Sequence, residues 1–183
     1  MDRILSDVDD TIKCSGGPYG GGVDQVGYRK EIYPGAVQFM LELSWGRPQA
    51  EPQQVRLLSA RPQKLSFLKL KKGSAVALEF QRVAEENGVP QWGIDLEGSQ
   101  YGRLRDVLPA LRGDFRKFGA TKLRNWAQAL GQDRGQAKAI FIGDDGQGDV
   151  QAALSMAESF GPPFAAAFIH QVTDKARNCM ELP

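Results

Sequence analysis

The sequence predicts an α/β fold, with a mostly parallel sheet of about five strands and helices on both faces. Two observations predict it. Short apolar runs alternate along the chain with stretches of helical spacing. Two of those runs end in clusters of aspartate, and the carboxyl ends of strands in an open parallel sheet are where ligands bind. The 183 residues are 42% hydrophobic and 25% charged, which fits one ordinary globular domain over 1–183.

Each element has its own signal. Arg3-Ile4-Leu5-Ser6 reads as a buried strand that runs into Asp7-Val8-Asp9-Asp10-Thr11. Ser15 to Gly22 holds five glycines and one proline and reads as a loop. Pro34-Gly35 precedes a helix over Ala36 to Trp45, with Val37, Met40, Leu41 and Trp45 on one stripe. Val55 to Leu58 is a second strand, followed by Ser59-Ala60-Arg61-Pro62. Helices are predicted over about 63–70 and 74–88, the second closed by Gly88 and Pro90. A short strand is predicted at Ile94-Asp95-Leu96. Lys122 to Leu130 is helical, with Leu123, Trp126, Ala127 and Leu130 on one face. Ala139 to Ile142 is the clearest buried strand and leads into Gly143-Asp144-Asp145-Gly146-Gln147-Gly148-Asp149. A helix over Val150 to Phe160 and a strand over Phe164 to Ile169 follow.

Composition excludes several chemistries. One histidine, His170, leaves no multi-histidine zinc site, and it reads as structural at the end of the last strand. Two cysteines make no disulfide framework, and Cys14 has no evident activating partner. A net charge of +1 argues against bulk attraction to nucleic acid. Basic residues concentrate at 61–72 and 101–124; a solvated helix face is the ordinary explanation, an anionic membrane or RNA the functional one. No signal peptide or membrane-spanning run is visible, so the cytosol is the expected location. From the abrupt start at Met1-Asp2-Arg3-Ile4, a catalytic fragment of a longer protein is an expectation.

The carboxylates carry the chemistry. Six of the 13 aspartates (Asp7, Asp9, Asp10, Asp144, Asp145 and Asp149) fall in two short windows, each directly after an apolar strand. If the two strands are neighbours, these like charges converge, and they repel unless something positive sits among them. Magnesium takes one or two carboxylates, keeps waters and binds phosphate oxygens. One aspartate per strand end would need no more than turn or cap chemistry; six exceed it.

Asp7-Val8-Asp9-Asp10-Thr11 after an apolar strand resembles the first motif of the haloacid dehalogenase (HAD) superfamily of phosphotransferases. Ser59 at a strand end, Lys122 (or Lys117) and Gly143-Asp144 through Asp149 resemble its later motifs, in the same order. Ser6 to Lys13, Tyr33-Pro34-Gly35-Ala36, Ser59-Ala60-Arg61-Pro62 and Ala120-Thr121-Lys122-Leu123 resemble a narrower group, the actin-patch-protein and lipin-type phosphatidate phosphatases.

The resemblance implies a three-layer Rossmann-like HAD fold with little or no cap: a glycine-rich flap at about 12–34 and a modest insertion at about 63–117. It implies a magnesium-dependent phosphomonoester hydrolase working through an aspartyl-phosphate. Asp7 would be the nucleophile, and Asp9 the general acid/base with its backbone carbonyl toward the metal. Asp144 and Asp149 would complete the metal ligands alongside Asp7 and Asp9, and Asp145 is a further candidate. Thr11 would cap the turn and orient Asp9. Ser59, Thr11 and Arg61 would meet the substrate phosphate. Lys122 would neutralise nucleophile and phosphoryl charge, with Lys117 as the fallback. A lysine at a helix start opposes the helix dipole, which favours a functional role for Lys122. The open site would suit phosphatidate at a membrane surface, a phosphoprotein or a soluble ester. The alternatives are a binding-only module on the same fold, against which the retained Asp9 argues, and a phospho-acceptor receiver domain. A receiver's acceptor aspartate ends a middle strand and forms no Asp-x-Asp-x-Thr.

Overall fold

The computed structural model describes residues 3–16, 24, 30–46, 50–62, 70, 73–102, 122–128, 138–146, 148–160 and 162–172. In chain order these form β1 (Arg3–Ser6), α1 (Ala36–Trp45), β2 (Arg56–Pro62), α2 (Ala75–Glu86), β3 (Gln100–Gly102), α3 (122–128), β4 (Ala139–Asp144), α4 (Asp149–Phe160) and β5 (Phe164–His170). The five strands form one all-parallel sheet in the order β3-β2-β1-β4-β5, a Rossmann-like α/β arrangement.

Period-two alternation divides the strands' side chains between two cores. Ile4, Leu57, Ile140 and Ile142 join Val37, Met40 and Leu41 of α1 and Val76, Phe80 and Val83 of α2. Leu5, Leu58, Ala139 and Phe141 join Trp126 of α3 and Ala152, Ala153 and Met156 of α4. A sheet covered on both faces needs apolar residues at successive positions, which is why its strands read as continuous apolar runs.

Local signals set the helix ends. Gly35 adopts the left-handed conformation before α1 (φ 77). Ser74 caps α2 through its side chain, which accepts from the Ala77 amide at 3.3 Å. Among the described residues no helix is long and apolar enough to cross a membrane.

The third strand differs from expectation. Ile94 makes only an isolated bridge to Val55, and the strand begins at Gln100. Asp95 is the reason. Its carboxylate accepts from the Gly98 amide at 2.8 Å and from Arg56 Nε at 2.7 Å, and its carbonyl accepts from Ser99 Oγ at 2.6 Å. These local bonds fold 95–98 into a turn, and an aspartate side chain competes well for backbone donors. Residues 63–69 of the helix expected at about 63–70, residues 17–22 of the glycine run, and 71–72 and 103–117 of the insertion expected at about 63–117 lie outside the described residues.

Candidate active site

β1 and β4 are adjacent, paired from Arg3↔Ala139 to Ser6↔Ile142. Their carboxyl ends therefore open side by side, and both acidic windows start there. The Asp7 amide donates to the Ile142 carbonyl at 2.8 Å, extending the ladder to the first aspartate. Asp149 begins α4, where the positive end of the helix dipole favours an anion. Gly143 makes room for it: a Cβ there would stand 2.4 Å from Asp149 Oδ2.

Asp7, Asp144 and Asp149 each offer a carboxylate oxygen, and these oxygens lie within 4.8 Å of one another. All three residues are buried. Among them sits Lys122, the first described residue of α3, fully buried. Its Nζ lies 3.0 Å from Asp7 Oδ2 and also donates to Asp149 Oδ1. Asp144 Oδ1 accepts from the Gly146 amide at 2.7 Å, while its Oδ2 is buried with no hydrogen-bond partner.

The electrostatics follow from burial. Loss of water pushes the Asp7 carboxyl up to about 7, and Asp149 and Asp9 add to the rise while Lys122 opposes it. Burial, then Asp149 and Asp7, hold Asp144 well above the usual carboxylate range. Burial pulls the Lys122 ammonium down, but Asp149, Asp7 and Asp144 outweigh it and hold the pKa above its ordinary value. One ammonium cannot balance three carboxylates. A hard divalent cation fits what remains: an all-oxygen donor set and one buried oxygen with no donor facing it.

The other expected site residues are placed as follows. Asp9 follows the Asp7 strand end, but its carboxylate pairs with Lys13 at 2.9 Å and stands outside the three-carboxylate cluster. The Thr11 hydroxyl is buried and makes no hydrogen bond, so the cap expected from it is not formed. Ser59 is buried on β2, in register with Tyr101. Arg61 lies in β2, and Lys117 lies outside the described residues. Asp145 turns to the sheet edge, where its Oδ1 accepts from the Val172 amide at 2.9 Å. Sequence reasoning passed over Asp24 and named Tyr33 only within a resembling motif; the Tyr33 hydroxyl donates to Asp24 Oδ2 at 2.5 Å. A lone aspartate beyond a glycine run carries no spacing signal.

No family model, curated protein or solved structure matches the chain. The functional reading therefore stands on this geometry and on the motif resemblance.

Proposed function

We propose that the chain is a magnesium-dependent phosphomonoester hydrolase of the HAD type that works through an aspartyl-phosphate on Asp7. The observation that carries this reading is the buried cluster of Asp7, Asp144 and Asp149 around the ammonium of Lys122 at the carboxyl ends of β1 and β4. Asp7, Asp144 and Asp149 would hold the cation, with the Asp9 backbone carbonyl beside them. Bound there, magnesium supplies Lewis-acid stabilisation of phosphoryl charge.

The protein's own groups carry the steps. Asp7 must attack as a carboxylate, and the Lys122 ammonium at 3.0 Å favours that ionised form. An Asp7 oxygen bonds to phosphorus as the ester P–O bond breaks, and the leaving oxygen takes the proton of Asp9. Asp9 then removes a proton from water, which attacks phosphorus, breaks the Asp7–phosphorus bond and releases inorganic phosphate. The partial exposure of Asp9 suits a group that must reach a leaving group and water. Ser59 and Thr11 would donate to phosphoryl oxygens, and the unmet Thr11 hydroxyl supports that role. Arg61 would reach the rest of the substrate. Phosphatidate at a cytoplasmic membrane surface is the substrate we place first, on the motif resemblance.

The test is phosphate release from p-nitrophenyl phosphate, phosphatidate in mixed micelles, a phosphopeptide and soluble esters. Each is run with magnesium or a chelator. Release that needs both magnesium and Asp7, and vanishes in Asp7→Asn, is the expected result. No release from any substrate by a folded chain that still binds magnesium overturns the reading in favour of a binding module.

A further inference from the structure

Asp10, next to the proposed acid/base, sits in the left-handed region (φ 60), where side-chain-bearing residues rarely settle without support. The support comes from two sides. Its carboxylate accepts from the Ser15 amide at 2.8 Å, from Ser15 Oγ at 2.9 Å and from the Asp24 amide at 3.3 Å. Its carbonyl lies 2.8 Å from His170 Nδ1. A carbonyl oxygen only accepts, so His170 donates from Nδ1.

The contacts close into a ring. The edge-on rings of His170 and Tyr33 have centroids 4.5 Å apart. Tyr33 bonds Asp24, and Asp24 returns to the Asp10 carboxylate. The His170 backbone reaches the other acidic window, its carbonyl accepting from the Asp145 amide at 3.1 Å. The last residue of β5 thus touches both loops that build the site. Asp10, Cys14 and Asp24 also place ligand atoms within 4.8 Å of one another, but the Asp10 oxygens already have their donors, so the group is a hydrogen-bonded frame.

We infer that His170 and Tyr33 are positioning residues that hold the Asp10 turn and so aim the Asp9 carboxylate at the leaving group. This rests on the hydrolase reading above. The turn is short: the Asp10 amide bonds the Lys13 carbonyl at 2.7 Å while Lys13 Nζ holds Asp9. A rotation at Asp10 therefore moves Asp9 directly.

The chemistry supplies a readout that loss of stability would not move. Nitrophenolate leaves without a proton, whereas an alkoxide needs one from Asp9. The experiment compares kcat/KM for p-nitrophenyl phosphate and an alkyl phosphate, with magnesium, in wild type, Asp9→Asn, His170→Leu, His170→Asn and Tyr33→Phe, with Tm measured for each. His170→Leu and Tyr33→Phe should lose about tenfold more on the alkyl ester than on the aryl ester, in the manner of Asp9→Asn. His170→Asn, whose amide can donate near the Nδ1 position, should recover to within about threefold of wild type. Equal losses on both esters, no loss, or failure of His170→Asn to recover would overturn the inference while leaving the hydrolase reading intact. A wild type that releases phosphate from neither ester overturns both.

Discussion

Lys122 is where burial and charge meet most sharply. Its ammonium lies in the interior because Asp7 and Asp149 surround it. Removing one partner of a buried ion pair strands the other charge, and this typically costs about 3–5 kcal/mol. Lys122→Met should therefore lose about that much in denaturant unfolding, together with activity. A loss under about 1 kcal/mol would mean that water reaches the cluster. Asp144 should behave in the opposite sense. Its carboxylate is buried beside Asp149 and Asp7, so Asp144→Asn relieves repulsion. That variant should raise the Tm of the metal-free protein and abolish the Tm gain on adding magnesium. A lower metal-free Tm with the magnesium gain intact would show that Asp144 is neither strained nor a ligand.

At the scale of elements, the site depends on how two helices seat on one face of the sheet. Trp126 lies one turn after Lys122 on α3 and is fully buried against Phe141 of β4 and Phe164 of β5. It fixes the depth at which α3 delivers the ammonium. Trp126→Ala leaves a large cavity and should cost about 3–5 kcal/mol. It should also lower kcat well below the new Tm, because α3 settles toward the void and moves Lys122. Retained kcat at such temperatures would mean that the three carboxylates alone hold the lysine. Gly143 has the matching role for α4. A methyl there meets the Asp149 carboxylate, so Gly143→Ala should weaken magnesium binding more than it lowers metal-free stability. Isothermal titration beside thermal melts separates the two effects.

For the whole molecule, the acidic cluster ties stability to pH and, on the function proposed above, to magnesium. Asp7 titrates near 3.8 in the unfolded chain and at about 7 in the fold, and Asp144 is shifted the same way. Between about 4 and 7 the folded state holds more protons than the unfolded state, so the metal-free fold loses stability as pH rises through that range. Lys122 stays charged throughout and adds no slope in this window. Magnesium competes with those protons, so its stabilising effect should grow over the same range. Melting curves at pH 4 to 8, with chelator or with excess magnesium, check both signs. A metal-free Tm that climbs steadily from pH 5 to 7 would contradict the burial of these carboxylates.

The sequence by itself determined the layer order and most of the elements. β1 and α1 begin and end where Arg3-Ile4-Leu5-Ser6 and the Val37, Met40, Leu41 stripe place them. Apolar period and helix-end chemistry are local, and the strand runs are apolar because both sheet faces are covered. Asp7, Asp144 and Asp149 were legible as candidates because like charges crowded after two strands need a reason, whereas Lys122, with Lys117 as the fallback, was singled out by the motif resemblance. Only the tertiary structure decided which of the six aspartates converge. The β1–β4 pairing brings Asp7 to Asp144 and Asp149, while Asp9 pairs with Lys13 and Asp145 turns to the β5 edge. The third strand escaped because the apolar flanks of Ile94-Asp95-Leu96 hid the local turn that Asp95 makes with the Gly98 amide and Ser99 Oγ. The His170–Asp10–Asp24–Tyr33 ring escaped for a different reason. Its closure through His170 exists only once β5 lies beside β4, and no spacing along the chain encodes that contact.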